Sequence, residues 1–148
     1  MGYYMRFICT DEEPISTVDL QQAFAAAGPG YDVQIDETAA TILHQGATIA
    51  HVELNTPGDG LFDEERKELI EFAADIDEHN SAKARVLTTL RAARMFVAAQ
   101  VLFGSGETET ILRQLDPLWA WLFQHRQGLL QADGEGYYDV HGRILEVE

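Results

Sequence analysis

The chain holds a single cysteine, Cys9, in 148 residues, so no disulfide can close within it and no thiolate cluster can gather a metal. Cys9 lies in the apolar run YYMRFICT and reads as a buried, inert thiol. Basic side chains are scarce: 10 Lys and Arg stand against 25 Asp and Glu, a formal net charge of -15. Lys and Arg carry the affinity for nucleic acid phosphates, so this balance argues against nucleic acid as a partner, and equally against anionic membranes. Long apolar runs are missing too, since nothing approaches the roughly 18 residues of a membrane span. The N-terminal MGYYMRFICTDEEP lacks the charged start and apolar core of a signal peptide, which makes a cytoplasmic location the expectation. Arg6 stands where a myristoylation signal after Gly2 would need Ser or Thr.

What is present suits one domain over residues 1–148, with 46% hydrophobic and 24% charged residues. The charge is uneven along the chain. Seventeen carboxylates and only Arg66 and Lys67 as basic residues fall between Asp11 and Glu78, whereas three carboxylates and six basic residues fall between Asn80 and Arg126. Such an acidic stretch keeps a protein soluble and attracts basic partners.

Residues 3–10 are aromatic and β-branched, a strand pattern. Ser16 and Asp19 form a capping box at the head of a helix over 15–28, with Gly28 as its stop. Runs at 31–35 and 39–55 alternate as strands, and Gln45-Gly46 supplies a two-residue turn that would pair Ile42 with Ile49 and Ala40 with His51. A helix over 61–80 carries Leu69, Phe72, Ala73 and Ile76 as one apolar stripe, and Asn80-Ser81 breaks and recaps it. MFVAAQVLF over 95–103 is apolar on both alternating faces, the mark of an interior strand. A helix over 104–127 follows, which Asp116-Pro117 should split or kink, and the remainder is β. The order β α β β α(α) β α β β β predicts an α+β fold: a mixed, mostly antiparallel sheet packed by helices, with a ferredoxin-like βαββαβ core extended by a C-terminal helix and hairpin.

Candidate chemistry is thin. QADGEGYYDVHGRILE, over 131–146, crowds carboxylates, glycines, two tyrosines and His141 together, yet as a calcium loop counted from Asp133 it puts Tyr137, Tyr138 and Ile144 at positions that need an acid, a glycine and a glutamate. Tight turns at Asp133-Gly134 and His141-Gly142 are the better reading, with Leu129, Tyr138 and Leu145 on one face, joined by Val140 and Val147. GSGETET over 104–110 resembles a phosphate loop but has no Lys or Arg, and Glu107 and Glu109 already occupy the positive end of the helix. His51 and Glu53 share a strand face and are the only weak candidates for acid–base or metal-assisted catalysis, with Tyr137, Asp139 or His141 as the residues a fold could bring alongside. No metal site and no cofactor is expected, because ligands in adequate number never gather. Glu71, Asp75, Glu78 and His79 recur at helical spacing as a solvated face. Trp119, Trp121 and Phe123 leave the 117–125 helix apolar nearly all round, so it is either buried or a protein interface. The resulting expectation is a non-enzymatic interaction or regulatory module, working as a homodimer or against a basic protein. A His51/Glu53 enzyme and a small-molecule binder are the alternatives.

Overall fold

The computed structural model describes residues 3–77, 80–103 and 108–146. Among these residues eight strands form one sheet: β1 (Tyr3–Cys9), β2 (Tyr31–Asp36), β3 (Ala39–His44), β4 (Ala47–Asn55), β5 (Met95–Val101), β6 (Gly128–Ala132), β7 (Gly136–Asp139) and β8 (Gly142–Glu146). Four helices accompany them: α1 (Thr17–Ala25), α2 (Phe62–Ala74), α3 (Ser81–Ala92) and α4 (Thr108–His125). Among the described residues no helix is long and apolar enough to cross a membrane.

The strand order is β2-β3-β4-β5-β1-β6-β7-β8, and every pairing is antiparallel. The α+β class stands, but the expected mixed sheet and ferredoxin-like order do not. The reason lies in the turns. Glu37-Thr38 and Gln45-Gly46 both close two-residue hairpins, with φ of 54° at Glu37, 50° at Gln45 and 84° at Gly46. The segment 31–55 therefore becomes a three-strand meander, where a split core has two strands. β5 then inserts between β4 and β1.

Register departs from expectation at two places. A bulge between Ile42 and Leu43 pairs Ile42 with Ala50 and Thr41 with His51, so one extra residue lets Ile42, Ile49 and Ala50 all reach the core. At the C-terminal end the loops are Asp133 to Glu135 and Val140-His141. Tyr137 therefore shares a face with Leu145, while Tyr138 opposes Leu130 on the other face, and Val140 is an exposed turn residue. Val147 lies outside the described residues.

Alternation divides the sheet between two cores. Phe7, Val97, Val52, Ile42 and Leu130 pack against Leu20 and Phe24 of α1 and Leu115, Leu118 and Leu122 of α4. Ile8, Phe96, Leu129, Tyr137 and Leu145 pack against Phe62 and Ala73 of α2 and Val86 and Leu90 of α3. The first core draws on β3 and β4, but the second takes no buried residue from β2, β3 or β4. The α2–α3 layer thus covers only the β1 and β5–β8 part of its face. β5 is buried on both sides except at Gln100, as an interior strand should be.

Local chemistry explains the helices. Ser16 Oγ accepts the Asp19 N–H, and the Asp19 carboxylate accepts the Ser16 N–H, which closes the capping box of α1. Asn80 caps α3 by accepting the Lys83 N–H at 2.9 Å. Lys83, only 8% exposed, donates from Nζ to the carbonyls of Ala74 and Ile76 at the end of α2, so the recap also satisfies the helix before it. Pro117 lies inside a continuous α4 and does not split it. Ile111 and Leu115 ahead of it and Leu118 and Leu122 after it are buried in the same core, which keeps both halves helical despite one missing backbone donor. A Cβ on Gly128, opposite Cys9, would lie 2.0 Å from the Ile8 carbonyl oxygen, so that close strand approach requires glycine.

Candidate functional site

The sheet separates the residues that a catalytic reading would need together. His51 and Glu53 are exposed on β4, and His51 meets Thr41, whose Oγ1 lies 3.2 Å from Nδ1. Tyr137 and Asp139 lie on β7, with His141 in the turn after it, four strand positions from β4. At roughly 4.8 Å per step that is about 19 Å. Among the described residues no group of three His, Cys, Asp or Glu side chains is placed to hold a metal ion. Residues 104–107 of the phosphate-loop candidate at 104–110, and Glu78 and His79 of the acidic helix face, fall outside the described residues.

Three of the four carboxylates of 131–146 are engaged within the chain, each differently. Asp133 pairs with Arg6 at 2.9 Å. Glu135 accepts hydrogen bonds from the hydroxyls of both Tyr3 and Tyr138, and burial followed by this carboxylate pushes the Tyr3 hydroxyl well above its usual range. Asp139 bridges to Arg85 of α3 at 2.9 Å and accepts the His141 N–H.

The aromatic helix is engaged within the chain. Trp119 is 4% exposed. Phe123 meets Phe7 edge-on at 5.3 Å, and Trp121 stacks on His125 at 4.3 Å with the Arg126 guanidinium 5.9 Å from its ring.

A large concavity lies elsewhere, between α2 and the β6–β7 hairpin. It is a cleft of about 820 Å³. Arg6 anchors its wall. The Arg6 Nε donates to Glu65 at 3.0 Å, and Nη1 donates to Gln131 at 2.8 Å and Asp133 at 2.9 Å. Burial works against the Arg6 charge, but Glu65 and Asp133 outweigh it and raise its pKa. Tyr137 lines the cleft beside it, and burial pushes its hydroxyl up to about 12.

Six carboxylates line this cleft: Glu65, Glu68, Asp75, Asp77, Asp133 and Glu146. Against the single cation of Arg6 they leave a net charge of -5. Arg6 engages two of them. Glu68, Asp75, Asp77 and Glu146 have no ion-pair or side-chain hydrogen-bond partner among the described residues, and all four are exposed. Between them runs an apolar strip made by Leu69, Phe72 and Ile76. Phe72 is 71% exposed, which corrects the expected stripe. The face of α2 turned to the sheet is set by Phe62, Leu69, Ile70, Ala73 and Ile76, and Phe72 lies one residue, about 100°, away from Ala73.

Sequence reasoning missed this cleft, though it offered a signal. Arg6 is a lone charge inside an otherwise apolar, aromatic strand, and a cation so placed needs carboxylate partners supplied by other elements. No family model, curated protein or solved structure matches the chain.

Proposed function

We propose that the protein is a non-enzymatic binding module that takes a basic segment of a protein partner into the cleft between α2 and the β6–β7 hairpin. The observation that supports this reading is the set of four carboxylates without partners, Glu68, Asp75, Asp77 and Glu146, around the exposed ring of Phe72. An aromatic anchor inside a charged rim is the usual anatomy of a protein-binding patch. A second copy of the chain would bring like charge against like at this surface, so a Lys- or Arg-rich partner suits the cleft better than a homodimer through it. Among the described residues the cleft is lined by carboxylates, Arg6, Gln131, Tyr137 and an apolar strip, groups that can hold a partner by charge, apolar contact and hydrogen bonding.

The acidic field steers a basic partner inward over a distance set by the Debye length, about 8 Å at physiological salt, and contact with Phe72 and Leu69 then slows its departure. Calorimetric titration with a lysine- and arginine-rich peptide at two salt concentrations tests this. Binding should weaken as salt rises, and it should fall at least tenfold when Glu68→Gln, Asp75→Asn, Asp77→Asn and Glu146→Gln are combined. Neutralising Asp32, Asp36 and Glu37 at the β2 edge should leave most of the affinity intact. Equal loss from both sets would mean that bulk acidity, not the cleft, attracts the peptide.

A further inference from the structure

The cleft's selectivity among cations follows from how α2 presents Phe72. Glu68, Phe72 and Asp75 recur at i, i+4 and i+7, which brings them to one face of the helix, and all three line the cleft. Asp75 is the C-terminal cap of α2 and keeps helical backbone angles of φ -81° and ψ -8°, so it holds that face. The ring of Phe72 is the most exposed large apolar side chain described, at 71%, and no ring or cation among the described residues stacks on it. It is thus an open aromatic face with a carboxylate one helical turn to either side.

That arrangement distinguishes the two basic side chains. A guanidinium is planar, so it can lie flat on a ring while its N–H groups, all in its own plane, reach sideways to acceptors at the ring's edges. An ammonium is a compact point charge that holds its water more tightly. Over the ring it can face the π cloud, but its three tetrahedral donors do not share a plane parallel to the ring, so they match carboxylates at the ring's edges less well than a flat guanidinium does. The cleft already holds one guanidinium in a comparable way: Arg6 lies between Glu65 and Asp133 and also packs over the Tyr4 ring at 5.3 Å.

We infer that the cleft selects arginine over lysine in its partner, by stacking a guanidinium on Phe72 between Glu68 and Asp75. This rests on the binding reading above and specifies the side chain that carries it. The test uses three peptides of one length and spacing, with arginine, lysine or uncharged citrulline at four positions, titrated against the full chain. The arginine peptide should bind about threefold to fivefold more tightly than the lysine peptide, as expected of an exposed cation–π contact, and the citrulline peptide should bind far more weakly than either. Phe72→Leu keeps an apolar side chain at an exposed site, so folding is preserved. It should erase the arginine preference by weakening the arginine peptide by a larger factor than the lysine peptide, and Phe72→Trp should widen the preference. Equal binding of the arginine and lysine peptides, or a preference that survives Phe72→Leu, overturns the inference and leaves the basic-partner reading standing. Failure of both cationic peptides to bind overturns the two together.

Discussion

Phe24 and Phe72 are the same side chain on amphipathic helices laid against one sheet, yet Phe24 is 1% exposed and Phe72 is 71% exposed. Phe24 belongs to the α1–α4 side, where the core takes residues from β1 and β3–β6 and α4 alone contributes five buried side chains. Phe72 belongs to the α2–α3 side, where α2 buries only Phe62 and Ala73 and, among the described residues, β2–β4 contribute nothing to the buried core. A helix with little to bury can spend its remaining positions on charge, and α2 does so with Asp63, Glu64, Glu65, Glu68 and Glu71. The sealed side supplies cohesion, and the half-covered side is the one on which the proposed recognition rests.

The largest test of that division substitutes the two phenylalanines. Phe24→Ala removes a ring from a close-packed core and should cost about 3–5 kcal/mol. Phe72→Ala should stay within about 0.5 kcal/mol while weakening capture of a basic peptide. Urea unfolding of both variants decides, and similar losses would break the comparison between the two sides.

A second substitution probes the border between cohesion and recognition. Arg6 is on a central strand but reaches Glu65 of α2 and Asp133 of the hairpin. Arg6→Met should cost about 1.5–3 kcal/mol, the scale of hydrogen bonds to charged groups, because Gln131 and two carboxylates lose their donor. Adding Glu65→Gln and Asp133→Asn to Arg6→Met should recover part of that loss, since the unpaired carboxylates carry much of the penalty. If the triple variant is less stable than Arg6→Met alone, the network is not held by charge pairing.

The legible parts of this fold were those that local chemistry decides. Ser16 with Asp19, Asn80, Gln45-Gly46 and the interior strand around Val97 all act within a few residues of themselves, and each occurs where its residue types place it. The strand order was not legible, because β5 is placed between β4 and β1 by packing on both faces at once, which no short window of sequence records. The Ile42/Leu43 bulge escaped for a related reason: alternation alone cannot tell an extra residue from a continuous strand. The cleft was hidden because its parts come from β1, α2, the β6–β7 hairpin and β8, up to 140 positions apart between Arg6 and Glu146, and because a one-residue rotation of α2 separates an exposed Phe72 from a buried Ala73.

The smallest expected effect comes from the loop that fixes the start of α2. Leu61 provides no side-chain cap, and Asp59 serves in its place. Its Oδ1 accepts the N–H groups of Leu61 and Phe62, each at 2.8 Å, and its Oδ2 accepts that of Thr56 at 3.0 Å. Burial pushes this carboxyl upward, but the backbone donors outweigh it and hold its pKa below the ordinary range. Asp59→Ala should cost about 1 kcal/mol at neutral pH, as for other helix caps. Because the folded value is depressed, the stabilisation is complete above the unfolded carboxyl value of about 3.9 and is lost as pH falls through the lower folded value. The gap between Asp59→Ala and the unmodified chain in urea unfolding should therefore be constant from neutrality down to about pH 5 and narrow below about pH 4. A gap independent of pH would mean that Asp59 acts through loop shape and not through its charge. The Phe62 ring, buried against Phe96 at 4.6 Å, would then be the main restraint on how α2 presents Phe72 to the cleft.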